Sequence, residues 1–108
     1  MKRGDFVTVA LQGDFGKPRP ALIVQADCFD ETGTVTILPV SSAIIDAPLL
    51  RLTVQPSEQN GLRKASQIMI DKASTTQRDK IGPAFGVAGD MLMLEVSRAL
   101  ALFLGLAA

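Results

Sequence analysis

Between Phe6 and Ile70 the chain breaks into short apolar, β-branched runs divided by turn residues, and no apolar face recurs there at helical spacing. Five runs stand out, at residues 6–11, 21–26, 34–40, 50–54 and 65–70. Short strands with turn signals and no helices between them exclude parallel βαβ units and predict an antiparallel sheet or small barrel. Residues 21–26 (Ala-Leu-Ile-Val-Gln-Ala) are too continuously apolar to leave one face in water. The period changes at Asp90, a predicted N-cap, and residues 91–105 read as one helix ending at Gly105. Leu92, Val96, Ala99, Leu100, Phe103 and Leu104 share one stripe of it, and Met93, Leu94, Ala101 and Leu102 widen that stripe. A helix so apolar is either deeply buried or shared with a second subunit, and in a chain of 108 residues we expect the second.

The length fits one domain spanning residues 1–108. There is no histidine, and Cys28 is the lone cysteine, so no disulfide, metal site or cofactor is expected. Acid–base chemistry would fall to Asp, Glu, Lys, Arg or hydroxyl groups. The apolar stretch 92–106 is interrupted by Glu95, Ser97 and Arg98, short of the roughly 20 apolar residues of a membrane span. The amino terminus lacks the apolar core of a secretory signal, which makes the cytoplasm the expected location.

Formal net charge is zero, but it is unevenly spread. Asp27, Asp30, Glu31, Asp46 and Glu58 face only Arg51 in their stretch, whereas Arg63, Lys64, Lys72, Arg78 and Lys80 outnumber Asp71 and Asp79 in theirs. Such a chain can present an anion-attracting face while remaining neutral. Two basic segments run straight into apolar strands: Gly16-Lys17-Pro18-Arg19-Pro20 before Ala21, and Gly61-Leu62-Arg63-Lys64-Ala65-Ser66-Gln67 before Ile68. The prolines bias Lys17 and Arg19 toward extended backbone. If the two segments meet, they form a rigid cationic notch suited to phosphate.

Arg3-Gly4-Asp5 before the first strand, Arg19-Pro20-Ala21-Leu22-Ile23-Val24 at the second, Pro39-Val40-Ser41-Ser42 closing the third and Ser66-Gln67-Ile68-Met69-Ile70-Asp71-Lys72 later occur in an order that resembles the MazF/PemK family of bacterial toxins. The likeness runs from residue 3 to the terminal helix. It implies a mainly β fold with a C-terminal α-helix, an SH3-like, partly open β-barrel of the CcdB/PemK type, assembled as a homodimer. It also implies a sequence-specific, ribosome-independent endoribonuclease that cleaves single-stranded RNA and is neutralised by a cognate antitoxin. By the same resemblance Arg19 takes a catalytic role, Ser41 matches a hydroxyl residue closing the third strand, and Lys64 and Ser66 stand where one branch carries a catalytic Arg and Asp. Lys17, Ser42 and Gln67 are the accompanying candidates for substrate binding. Ser66 replaces a carboxylate, and the first loop is shorter than in other members and lacks their acidic residue.

Metal-free RNA cleavage uses the 2′-hydroxyl as an internal nucleophile, so the protein must remove its proton, protonate the leaving 5′-oxygen and stabilise the phosphorane. Arginine suits the last task through its permanently charged planar fork. Lys64 can supplement it, and Asp14 and Asp71 are the nearest carboxylates by sequence for the base. Two alternatives come from other classes: a CcdB-like, non-enzymatic poison of DNA gyrase, and a generic SH3-like interaction module. The gyrase poisons anchor through a C-terminal tryptophan, and this chain has none. Peptide-binding modules use aromatic-lined grooves, for which five Phe without Tyr or Trp are a poor supply. The same shortage favours base recognition by hydrogen bonds over extensive stacking.

Overall fold

Strands β1 (Asp5–Ala10), β2 (Pro18–Ile23) and β3 (Thr34–Ser41) lie side by side, each antiparallel to the next, in the middle of a seven-stranded sheet. The computed structural model describes residues 1–10 and 17–107. Beyond β3 come β5 (Ser66–Met69) and then β4 (Arg51–Val54), while β7 (Ile81–Val87) pairs with the outer edge of β1. β4 and β7 end the path without meeting, which is the partly open form expected from the sequence. One edge of β3 is used twice, by β6 (Ser74–Gln77) over Thr34–Ile37 and by β5 over Val40 and Ser41. Pro39, with no N–H to donate, sits beside that hand-over.

Strand alternation sends neighbouring residues of β1, β2 and β3 into two different cores. Phe6, Leu22, Leu38 and Val40 join Val54, Ile68, Ile70 and Val96 on the face covered by the helix α1 (Asp90–Phe103). Val7, Val9, Ala21, Ile23, Val35 and Ile37 cluster on the other face beneath Ile81. Both faces of β2 are therefore dry over Ala21–Ile23, which accounts for the unbroken apolar run there. Each of the larger side chains contributes about 1.5–3 kcal/mol by leaving water.

The strand expected at residues 21–26 instead begins at Pro18 and stops at Ile23. Proline's fixed φ suits extended backbone, and both prolines lie in the part of β2 that β3 does not reach, where a missing donor does no harm. Gln25 has already turned away, donating to the Phe29 carbonyl and Thr32 Oγ1 (both 2.9 Å). The first strand was expected to include Leu11, which lies outside the described residues. β6 and β7 have no counterpart in the sequence reading. Ser74-Thr75-Thr76-Gln77 is a polar edge strand, and Ile81-Gly82-Pro83-Ala84-Phe85-Gly86-Val87 carries three residues that ordinarily break strands. β7 tolerates them because β1 is its sole partner among the described strands and the pairing is bulged.

In α1 the N-cap is Gly89, not Asp90; Asp90 is the first helical residue, where its carboxylate faces the positive end of the helix dipole. The helix ends at Phe103. Gly105, at φ +73°, then allows Leu106 N–H to reach the Ala101 carbonyl (2.8 Å) and Gly105 N–H that of Leu102 (3.2 Å), satisfying two orphaned acceptors. Leu92, Met93, Ala99 and Leu100 pack on the core around fully buried Val96. The expected stripe stops there: Phe103 and Leu104 are exposed, as are Met91, Leu94 and Leu102. No described helix is long and apolar enough to cross a membrane.

Arg3 ties the two ends of the chain together. Its guanidinium donates to the Val24 carbonyl and to Ser97 Oγ (2.7 Å), and Ser97 in turn donates to the Met93 carbonyl (2.8 Å). Its backbone N–H reaches the Asp27 carboxylate (2.8 Å).

Candidate active site: a cationic groove at the ends of β2 and β3

An open groove of about 770 Å³ lies where the residues leading into β2 meet those leading into β5. One wall is Pro18 and Pro20, with Thr8 beside them on β1. Facing it is the segment Gly61–Lys64, which brings Arg63 and Lys64, and Ser42, Ser66 and Phe85 complete the lining. Both basic segments singled out in the sequence therefore converge on one cavity. No carboxylate appears among its described lining residues.

The β5 side of the groove is held by Asn60, buried at 6% exposure. Its Oδ1 accepts the N–H groups of Ser57 (3.0 Å) and Leu62 (2.9 Å), its Nδ2 donates to the Gln55 carbonyl (2.9 Å), and its own N–H donates to Ser57 Oγ (3.1 Å). Val87 N–H donates to the Gln59 carbonyl (2.8 Å), docking this loop on β7. Gly61 is required twice over: its φ is +69°, and a Cβ there would stand 2.4 Å from the Phe85 carbonyl oxygen. In the sequence Asn60 and Gly61 close a polar loop over residues 55–61, and nothing in that pattern marks Asn60 as its centre.

Lys64 is exposed in the groove, and Ser66 is buried behind it, donating its hydroxyl to the Lys64 carbonyl (2.9 Å). Ser42 is exposed in the same lining. Arg19 and Ser41 are set differently. Arg19 pairs with Val9 and alternates to the face of β2 opposite Pro18 and Pro20. Extending the β2–β3 register, in which Ala21 opposes Pro39, brings Arg19 level with Ser41. Ser41 opposes Gln67, and Gln67 opposes Thr53, so the four form one row across the sheet. The hydroxyl of Ser41 accepts from Ala43 N–H (3.1 Å). Lys17 is exposed just ahead of β2.

Gln67 is 3% exposed, and its amide is fully engaged: Oε1 accepts Ile45 N–H (3.1 Å), and Nε2 donates to the Ile45 carbonyl (3.0 Å) and to Thr53 Oγ1 (3.1 Å). It grips the segment that follows Ser42. Of the two carboxylates considered as bases, Asp71 is ion-paired with Arg51, and Asp14 lies outside the described residues.

The excess of bases after residue 63 does not gather on one face. Lys72 Nζ lies 3.9 Å from the Asp71 carboxylate, and Arg78 Nε donates to the Thr32 carbonyl (2.8 Å). Arg63 and Lys64 are the members of that stretch that line the groove. Among the described residues, no group of three or more His, Cys, Asp or Glu side chains could hold a metal ion.

Residues 2–104 match the family described as PemK-like, MazF-like toxin of type II toxin–antitoxin systems. The chain is 44% identical over 108 residues to a protein of Mycolicibacterium smegmatis named probable endoribonuclease MazF, covering 99% of each. Its fold is similar to that of an endoribonuclease solved in complex with its cognate antitoxin from a mycobacterial species, with a TM-score of 0.83 at 23% identity over 100% of this chain and 98% of that one. It is likewise similar to the Mycobacterium tuberculosis toxin MazF-mt6, with a TM-score of 0.82 at 19% identity over 96% of this chain and 99% of that one.

Proposed function

The chain belongs to the PemK-like, MazF-like toxin family, and from that premise we propose that it is an endoribonuclease toxin that cleaves single-stranded RNA at the groove between β2 and β5. The observation that carries the site is the meeting of the two basic segments at one cavity, with Arg63 and Lys64 on one wall and the proline-held start of β2 on the other. An extended RNA strand laid in the groove meets Lys64 and Ser42, and where it passes round the ends of β2 and β3 it reaches Arg19 and Ser41 on the other face. The gyrase-poison and interaction-module alternatives are not favoured by this membership.

In the reaction we envisage, the 2′-hydroxyl gives its proton to water as its oxygen attacks the adjacent phosphorus, and the bond to the 5′-oxygen breaks as that oxygen takes a proton from water, leaving a 2′,3′-cyclic phosphate and a 5′-hydroxyl. Charge accumulates on the non-bridging oxygens, and Arg19 and Lys64 offset it with charge-assisted hydrogen bonds. Ser41 and Ser42 orient the phosphate. Gln67 acts one step removed, as a positioning residue: with its amide committed to Ile45 and Thr53, it fixes the chain that carries the two serines. Ser66 does the same for Lys64 through its carbonyl. Lys17 contributes long-range attraction for the backbone.

The toxin's protein partners follow from the same membership: a cognate antitoxin, and a second copy of the chain. The exposed Met91, Leu94, Leu102 and Phe103 of α1 support the homodimer, since apolar residues grouped on one helix call for cover. The cytoplasm, where messenger RNA is found, is the place of action.

The test is to incubate the purified protein with a defined single-stranded RNA in excess chelator and map the product ends. Discrete cuts ending in 2′,3′-cyclic phosphate are expected. RNA left intact, or cleaved only when a divalent ion is restored, overturns the reading.

A further inference from the structure

The ring of Phe85 is held open to the groove by an irregularity in the β1–β7 pairing. Ala84 opposes Val7 and Gly86 opposes Phe6, so two steps along β7 match one step along β1, and Phe85 is the extra residue. A bulge of this kind re-aims one side chain out of the alternation of its strand. Phe85 stacks on Phe6, with ring centroids 6.2 Å apart and planes inclined by 29°. Phe6 is itself completely buried, which gives the outer ring a rigid support. Gly61 lies against the ring edge, where a Cβ would come within 2.9 Å of Cδ1. Even so, Phe85 keeps 37% of its surface exposed, in the cavity that Arg63 and Lys64 line. A side chain needed only to cover Phe6 could be aliphatic and would not require a bulge to present it.

Resting on the reading that this groove takes single-stranded RNA, we propose that Phe85 is the stacking platform for one unpaired base, on a nucleotide whose phosphate lies toward Arg63 and Lys64. The groove matches a nucleotide in its division of chemistry: aromatic and proline surfaces suit a base, and the cationic wall suits the phosphate. Phe85 is the one aromatic residue among the described lining residues, so the contact falls at one position of the RNA rather than along its length. A π-face discriminates weakly between bases, so this residue contributes binding and register more than sequence choice.

The experiment compares wild type, Phe85→Leu and Phe85→Tyr on an RNA whose cut site has been mapped, and on versions of it carrying one abasic nucleotide at each position near the cut. Phe85→Leu keeps an apolar side chain over Phe6, and its thermal melt and sedimentation are recorded beside those of wild type. KM for the intact RNA should rise roughly ten- to a hundredfold in Phe85→Leu, with a much smaller change in kcat, and should stay near wild type in Phe85→Tyr. One abasic position should weaken wild type by a similar factor and leave Phe85→Leu unaffected, the non-additivity that marks a direct contact. The proposal is overturned if Phe85→Leu binds as wild type does, if its defect is equal on every abasic RNA, or if its melt or sedimentation changes, which assigns the ring to the core or to the subunit interface. A wild-type protein that cuts no RNA brings down the parent reading, and the platform with it; a wild type that cuts normally beside an unaffected Phe85→Leu removes only the platform.

Discussion

Lys17–Pro20 and Gly61–Ser66 border the same groove, the first with its prolines and the second with its cations, yet different forces hold them there. In the first, two proline rings fix the backbone covalently, and pairing of Pro18, Arg19 and Pro20 with Ala10, Val9 and Thr8 extends β2 to the groove's lip. In the second, no residue is stiff by itself. Its shape comes from a buried amide, Asn60, that satisfies three backbone groups, from the Ser66 hydroxyl, and from a glycine pressed against β7. One wall is rigid by local chemistry and the other by a network of side chains, so the same kind of substitution should have different consequences on the two sides.

The largest effect should come from the covalently stiffened side. Arg19→Ala is expected to lower single-turnover RNA cleavage by at least about 10²- to 10³-fold, the range for removing one donor to a developing oxyanion, in a variant that remains folded. A variant that fails to fold would make Arg19 part of the framework instead. Lys64→Ala comes next, at about ten- to a hundredfold, as befits a charge-assisted contact that adds to the one from Arg19. Finding Lys64→Ala more damaging than Arg19→Ala would reverse the roles of the two walls.

Asn60→Ala separates the two kinds of rigidity. It leaves the Ser57 and Leu62 N–H groups without their acceptor and should destabilise the protein by about 1–3 kcal/mol in a denaturant titration. Pro20→Ala, which removes only a conformational restriction, should cost less than about 1 kcal/mol. Equal costs would show that the polar network does not hold the Gly61–Lys64 wall. The smallest effect belongs to Ser66→Ala: one neutral hydrogen bond to the Lys64 carbonyl is worth about 0.5–1.5 kcal/mol, so cleavage should fall roughly tenfold or less. If it falls as far as in Lys64→Ala, the Ser66 hydroxyl takes part in proton transfer.

The same contrast explains which parts of the molecule could be read from the sequence. Apolar runs bounded by turn residues located β1 to β5, and helical periodicity located α1, because burial imposes those periods directly. β6 and β7 left little trace: one is polar, and the other is an edge strand whose Gly82, Pro83 and Gly86 the bulged pairing with β1 accommodates. Arg19, Lys64 and the serines could be named from residue order, but their division between the groove and the opposite face of β2 depends on strand parity across three ladders. Gln67 was legible as a polar residue at the start of a strand; that its amide is spent on Ile45 depends on a loop 22 residues away. Asn60 and Phe85 carried no signal, since one acts through backbone groups and the other through a bulge that no local pattern encodes.

Arg3 bonds to Ser97, 94 positions later, and β1 completes its pairing with β7, the last of the described strands. A ribosome making this protein therefore releases an unfinished sheet at first, with the outer edge of β1 bare until residues 81–87 have emerged. The groove has the same timing: its lining runs from Thr8 to Phe85, and the helix that covers one core follows still later. Folding of such a topology waits on contacts between distant parts of the chain. A nascent polypeptide that stops short of Phe85 therefore has no complete groove.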